Sequence, residues 1–583
     1  MNHTLSLSSL TALLVPLVPL VLFAGATAPA QTNTLLIIAD DVGIDAVGCY
    51  GLGSSPPPTP NIDALAARGV RFSNAQTCPV CSPTRACVMT GRHAFRTGVG
   101  RPLTTGSPGL DPGEVLLPEV LAPAGIATAL IGKWHLGDDL GPLTPTAEGF
   151  GLFTGTIAGA INDYSHWPKV ENGVVAFETN YATTDEVDEA LAFITTATEP
   201  WCVVLSFHSA HTPMHAPPAG LHTQNLLGLD PAITPVPFFK AMIEAMDTEI
   251  GRLLATIPTQ TLDATNVVFL GDNGTEDIVT EAPFDPTHGK TTVYDGGVHV
   301  PLIIAGPAVA GSPRVETHLA HSVDLFTTLA ELQGVDAGAA LPAGVALDGV
   351  SLVPLLQAAG QPAVRRYAYA EKFSGSAAMT QNGDQEVMRS ETYSLLRFVE
   401  AGVVREEMYD LVADPYQTTD LMLQSGGPPA NAYRNLGRAI AELRGVAWTA
   451  PFGYGCSGGG IQPVLRTNDL PELGTTFTMR VTGVGVGVPA VIGTLGLSND
   501  TWNGNPLPYD LSAAGMLGCM LWSAPLTTRF VFPVGSVAQW SESIPVSPLF
   551  VGLTLFAQGF VLAPAANPGG ALTTRGLEIL IGE

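Results

Sequence analysis

"TNTLLIIADDVG", from Thr32 to Gly43, is an apolar run closed by two aspartates and a glycine. Leu35 to Ala39 has the length and continuity of a strand buried on both faces. The same pattern returns in "ATALIGKWH", "WCVVLSFHSAH", "NVVFLGDNG" and "VPLIIAGP". Helical patterns lie between these runs. The clearest places Phe239, Met242, Met246, Ile250, Leu253, Leu254 and Ile257 along one stripe. Strands alternating with helices predict an α/β domain with a central, mostly parallel sheet between helices. In such sheets ligands bind at the edge formed by the carboxyl ends of the strands. Asp40, Asp41, Lys133, His135, His208, His211, Asp272 and Asn273 all fall at such ends. One site built from distant parts of the chain is therefore expected.

The chain has 583 residues, too many for one ordinary core, so two or three domains are expected. Hydrophobic residues make up 46% and charged ones 13%, with 64 Gly and 48 Pro, which describes a loop-rich globular protein. Its 25 Lys and Arg against 52 Asp and Glu give a net charge of −27. That charge argues against nucleic acid or anionic membrane surfaces as partners, because both need a basic footprint. At the N-terminus an apolar stretch from Leu10 to Ala24 precedes Ala28-Pro29-Ala30, the small-residue pattern of a cleavage site. Residues 1–30 read as a cleaved secretory signal, which makes the protein secreted or periplasmic. Pro16 and Pro19 interrupt the run, and it is short for a span, so no stable membrane insertion is expected.

Residues 31–340 carry the α/β pattern. The style changes near "LDGVSLVPLLQ" (Leu347 to Gln357), where "RRYAYAEKF", "ETYSLLRF" and "EEMYDLVADPYQTTDL" precede a helix near Asn431 to Arg444. This reads as a small α+β subdomain over 341–448. From about Pro451 short alternating runs rich in Gly, Val, Thr and Pro predict an all-β module over 449–583, a sandwich. Its Cys456 and Cys519 suit a disulfide. With seven cysteines in all, at least one is left free or otherwise used.

Asp40-Asp41 and Asp272-Asn273 supply hard oxygen ligands, which suit Ca²⁺ or Mg²⁺ and not zinc. Three of the cysteines crowd into "CPVCSPTRACVMTGRH", Cys78 to His93. A zinc site would need four N or S ligands, and no second C-x-x-C exists. The core Cys81-Ser82-Pro83-Thr84-Arg85, followed by Thr90-Gly91-Arg92, resembles the signature of the type I sulfatases, of the alkaline phosphatase superfamily. Further blocks resemble that family in order: "LLIIADDVG", "TPNIDALAARGVRF", "GKWHLG", "HSAHTPMHAPP", "GDNG", "GKTTVYDGGVHVP", "DGVSLVPLL" and "EEMYDLVADPYQTTDL". The resemblance covers about residues 33 to 445. Two positions depart from it: Asp295 stands where Glu is usual and His299 where Arg is usual, so the salt bridging of that turn should differ.

The resemblance implies that Cys81 is oxidised after translation, by a formylglycine-generating enzyme, to formylglycine. The hydrate of that aldehyde is the family's nucleophile. It implies metal ligands at Asp40, Asp41, Asp272 and Asn273, completed by the residue at Cys81. It places Lys133, His135, His211 and Lys290 around the sulfate and Arg85 on the hydrate. In this reading His211 protonates the leaving alcohol with Lys290 assisting, and His135 takes the proton of the second hydroxyl. Cys78 and Cys87 are then bystanders, and Cys49, Cys78, Cys87 and Cys202 remain unpaired on sequence grounds. His208, His215 and His288 read as structural, and Lys240 as solvated.

The expected activity is hydrolysis of small-molecule or carbohydrate sulfate monoesters. Two rival readings stand beside it: a formylglycine-dependent phosphonate or phosphodiester hydrolase of the same superfamily, and an inactive sulfatase-like binding protein. The −27 charge should disfavour long sulfated polyanions. Small sulfate esters are therefore predicted to turn over faster than sulfated polymers when kcat/KM is compared. A preference for a long sulfated polysaccharide would contradict that charge argument.

Overall fold

The computed structural model describes residues 32–375, 377–467 and 469–583; the expected signal segment, 1–30, lies outside them. The main sheet has ten strands. In chain order they are β1 (Asn33–Ala39), β2 (Gly69–Phe72), β3 (Ala127–Lys133), β4 (Leu152–Thr156), β5 (Trp167–Glu171), β6 (Val174–Glu178), β7 (Trp201–Ser206), β8 (Thr265–Gly271), β9 (Leu302–Ala305) and β10 (Arg314–Glu316). Their order across the sheet is β10-β2-β9-β8-β1-β7-β3-β4-β5-β6. The run β8-β1-β7-β3-β4 is parallel throughout.

Why the central strands read as continuous apolar runs is plain from their two faces. Successive side chains of a strand point to opposite sides of the sheet. Leu36 and Ile38 of β1 enter one core with Cys202 and Val204 of β7 and Val268 and Leu270 of β8. Leu35, Ile37 and Ala39 enter the other with Val203, Leu205, Val267 and Phe269. The first core is covered by Cys81–Thr90, Leu117–Leu121 and Asp324–Leu332. The second is covered by Pro60–Ala67, Ala182–Thr196 and Pro235–Thr256, the last being the predicted helical stripe.

The parallel pattern does not extend to every predicted strand. "VPLIIAGP" becomes β9, which runs antiparallel to both β8 and β2. After β8 the chain stays at the carboxyl edge through residues 272–301, so it re-enters the sheet from that edge and runs back. The hairpin β5–β6 adds a further antiparallel border.

The subdomain forms an antiparallel sheet of Ala368–Lys372, Gln385–Arg389, Tyr393–Glu400 and Val403–Asp410, backed by the helix Ala430–Arg444. Beyond it, Trp448–Phe452 pairs with Gly576–Leu580, joining the chain's last strand to the start of the β-rich part. A six-stranded sheet and a three-stranded sheet close over Phe477, Met479, Val481, Trp540, Val561 and Ile579, a sandwich. Cys456 and Cys519 form a disulfide. Arg434 and Arg438, on the helix Ala430–Arg444, pair with the buried Glu578 and so tie the sandwich to the subdomain. Among the described residues no helix is long and apolar enough to cross a membrane.

Candidate active site

Four neighbouring strands deliver their polar ends to one place. Asp40 and Asp41 follow β1, Lys133 ends β3, Ser206 ends β7, and Asp272 and Asn273 follow β8. Asp41 takes a left-handed turn, φ 59°, and its backbone N–H donates to Asp272 Oδ1 at 3.1 Å. Asn273 Nδ2 donates to Asp41 Oδ1 at 2.8 Å. All four of these Asp and Asn side chains are fully buried.

Cys81 opens the helix Cys81–Thr90, and its thiol lies 3.4 Å from Asp40 Oδ1. Arg85, one turn further on, donates to Asp272 Oδ2 at 3.0 Å, to the carbonyl of Lys133 at 2.8 Å and to Ser206 Oγ. The expectation placed Arg85 on the nucleophile; here its terminal nitrogens are engaged at β3, β7 and β8. Its Nε is buried without a hydrogen-bond partner. Lys133, with no exposed surface, donates to Asp40 Oδ2 at 2.5 Å. Lys290, from the 272–301 excursion, donates to Asp41 Oδ2 at 2.7 Å. Each buried carboxylate is thus matched to one cation: Asp40 to Lys133, Asp41 to Lys290, Asp272 to Arg85.

The two histidines complete the ring. His211 Nε2 is 3.8 Å from Asp41 Oδ2, while its Nδ1 bonds the Thr212 carbonyl at 2.8 Å. His135, at φ 59°, bonds the Leu103 carbonyl through Nε2 at 3.0 Å, and its Nδ1 is buried and unpartnered. The structure therefore gathers Asp40, Asp41, Cys81, Arg85, Lys133, His211, Asp272, Asn273 and Lys290 into one cluster, with His135 close enough to feel the charges of Lys133, Arg85 and His211.

Electrostatics within it are uneven. Burial would raise Asp41, but Lys290, His211 and Lys133 outweigh it and hold its carboxyl at about 2. Asp272 is pushed up to about 6, by burial first and then by the charge of Asp40, against Arg85 and Lys133. Burial alone would lower Lys133 and Lys290, yet Asp40 and Asp41 raise them above the ordinary lysine value. Burial, then the charge of Lys133, depresses His135. Burial also depresses His211, with Lys133 and Lys290 adding to it against Asp41. Burial and then Asp272 raise the Cys81 thiol, so the thiol itself is a poor nucleophile here.

Do these residues fit a hard divalent cation? Ligand atoms of Asp40, Asp41, Cys81 and Asp272 lie within 4.8 Å of one another. Asn273 Oδ1, in the same cluster, is buried without a hydrogen-bond partner. An oxygen-rich, buried, partly unsatisfied donor set fits Ca²⁺ or Mg²⁺.

Several features of the site surroundings escaped the sequence reading. Glu186 Oε1 lies 2.5 Å from His208 Nδ1, and His208 Nε2 meets Thr156 Oγ1 at 2.6 Å, a buried chain linking helix Ala182–Thr196 to the ends of β7 and β4. Nothing in the helical pattern distinguishes Glu186 from its acidic neighbours. Lys240, expected to be solvated, instead pairs with Glu281 at 2.6 Å, because the 272–301 excursion folds back over its helix. At the departing turn, Asp295 pairs with Arg389 of the subdomain at 2.5 Å and lies 3.5 Å from His299. The shorter acid therefore draws its cation from another sheet.

A buried cluster of carboxylates and cations thus sits at the carboxyl edge of an α/β sheet, with Cys81 held against it by a helix, an arrangement suited to an anionic ligand. Comparisons with known proteins agree. The sulfatase family model matches residues 32–335, and that of the N-sulphoglucosamine sulphohydrolase C-terminal region matches 286–442. Human arylsulfatase A is 32% identical over 380 residues, covering 59% of this chain and 71% of the relative. Pig N-acetylgalactosamine-6-sulfatase is 30% identical over 366 residues, covering 56% and 66%. Among solved structures, Ps i-CgsB in complex with k-i-k-neocarrahexaose has a TM-score of 0.58 at 24% identity, covering 71% of this chain and 92% of that one. A sulfatase from Pseudoalteromonas sp. gives 0.57 at 24%, covering 72% and 92%. The chain belongs to the type I sulfatase family of the alkaline phosphatase superfamily, and its chemistry is sulfuric ester hydrolysis.

A pH dependence follows from Asp272. Near pH 7 it is ionised and a cation displaces no proton; below its value of about 6 a cation must expel one. Ca²⁺ affinity is therefore predicted to fall roughly tenfold per unit as pH drops below this value. Calorimetric titration across about pH 5 to 8, with proton release read from buffers of different ionisation enthalpy, checks this. Equal affinity at both ends of the range would contradict it.

Proposed function

We propose that the chain is a secreted sulfatase whose Cys81, matured to formylglycine by a formylglycine-generating enzyme, supplies the nucleophile beside one divalent cation. The substrates are sulfate monoesters of small-molecule or carbohydrate alcohols. The observation that carries this reading is the position of Cys81, whose thiol stands in for the hydrate hydroxyls and lies 3.4 Å from Asp40 in a buried oxygen cluster ringed by Lys133, His135, His211 and Lys290. The same reading takes residues 31–340 as the catalytic unit, 341–448 as its bracing subdomain and 449–583 as an appended module.

Asp40, Asp41, Asp272 and Asn273 would hold the cation, with the residue at 81 completing the shell. Bound there, a divalent cation lowers the charge repulsion between an anionic nucleophile and an anionic sulfate. The hydrated aldehyde brings two hydroxyls, one to attack sulfur and one whose deprotonation expels sulfate; a thiol or a serine hydroxyl has no second one. Lys133 and Lys290 are held protonated by Asp40 and Asp41, so they present fixed positive charge to the sulfate oxygens. His135 is neutral at neutral pH, and its unpartnered Nδ1 is free to take a proton. His211 is neutral in the free site, but a sulfate between it and Lys290 raises its proton affinity. It then donates to the leaving alcohol. Arg85 fixes Asp272 and keeps its unpaired Nε for the nucleophile.

Leaving-group dependence tests this assignment. His211→Ala is predicted to lower kcat/KM by roughly 10²–10⁴-fold for alkyl sulfates, and far less for nitrophenyl sulfates, whose leaving groups need no proton. Cys81→Ala should abolish turnover of both. An equal loss on both ester classes would remove His211 from the acid role, and an active Cys81→Ala protein would overturn the nucleophile.

A further inference from the structure

The nucleophile segment holds three cysteines, and the structure turns them in two directions. Cys81 Sγ faces Asp40. Cys78 and Cys87, three residues before it and six after it, point away from the site and bring their sulfurs to 3.8 Å. Both are buried, in an apolar cluster with Ala94, Val323 and Phe373. Their register is set by the backbone: Thr84 Oγ1 accepts from the Cys78 N–H at 3.0 Å and lies 3.3 Å from the Cys78 carbonyl, pinning that loop onto the first turn of the helix. Cys49 and Cys202 lie elsewhere, half-buried in the turn Gly48–Tyr50 and buried in β7.

We propose that Cys78 and Cys87 form a second disulfide that brackets the nucleophile. The two sulfurs, 3.8 Å apart, would have to close to the bonding distance of about 2.0 Å. The reaction joins the two sulfurs, releases two protons and passes two electrons to a disulfide-donating oxidant, a dithiol–disulfide oxidoreductase of the exported compartment, which becomes a dithiol. It occurs during folding, before the pair is buried. The chain already carries Cys456–Cys519, so its folding compartment supports such chemistry.

The bond has a consequence for Cys81, resting on the function proposed above. In the unfolded chain Cys78 and Cys81 form a C-x-x-C pair, which an oxidant joins readily, and that bond would remove the sulfur needed for maturation. Engaging Cys78 with Cys87 leaves Cys81 as the one free thiol of the segment. The same bond fixes the loop before the helix to the helix's second turn, on the side opposite the site.

Peptide mapping of the full chain, exported, alkylated without reduction and digested with trypsin, tests this. Cleavage after Arg85 separates the peptide Phe72–Arg85 from Ala86–Arg92. The proposal predicts that these two are recovered as one cross-linked species that reduction splits. Recovery of both singly with Cys78 and Cys87 alkylated overturns it, as does a bond between Cys78 and Cys81. Whether residue 81 is a thiol or an aldehyde is read in the same species, so failure of maturation and failure of the disulfide are distinguished. In Cys87→Ala protein, loss of the cross-link should be accompanied by Cys78–Cys81 bonding and loss of aldehyde at 81; full aldehyde in that variant would overturn the protective role.

Discussion

Three carboxylates buried within a few ångströms of one another are the constraint on which the rest depends. Each ion costs several kcal/mol to remove from water, and mutual repulsion adds to that. The fold answers with one cation apiece, Lys133, Lys290 and Arg85. Those partners come from β3, from the excursion after β8 and from the nucleophile helix. Asp40, Asp272 and Lys133 can meet only if β8, β1, β7 and β3 lie side by side and parallel. Close packing at this edge also explains Gly132 beside Lys133: at φ 96°, a Cβ there would fall 2.0 Å from the Ser206 carbonyl oxygen.

Much of this was legible in the sequence because strand ends are local features. An apolar run followed by Asp, Lys, His or Asn states both the strand and the place where its polar group emerges. The metal-type donors at 40, 41, 272 and 273 and the cluster members at 81, 85, 133, 135, 211 and 290 were found in this way or by family resemblance. Strand direction was less legible, since "VPLIIAGP" has the same composition whether it runs with β8 or against it. The strand Gln385–Arg389 was not read at all; its polar ends resemble a loop. Partners that depend on tertiary contact, such as Glu186 with His208 or Arg389 with Asp295, leave no periodic signal.

The sandwich beyond residue 448 stands apart from the family matches, which end at 442. It has its own core, its own disulfide and a strand pairing that joins its two ends, the features of a unit that folds around itself. Its attachment to the preceding helix combines an apolar contact of Ala441 with Trp448, Ala450 and Leu580 with the ion pairs of Glu578 to Arg434 and Arg438. Such a joint fixes the sandwich against the subdomain without adding to the buried cluster at the carboxyl edge of the large sheet.

The central claim is that the hydrate of an aldehyde at residue 81 performs the attack. Titrating the purified, matured protein with an aminooxy probe tests it most directly, with label located by residue and activity followed in parallel. The account predicts label at position 81 alone, with sulfatase activity lost in proportion to labelling. Full activity in protein that takes up no label, or label at 81 with activity untouched, would contradict it.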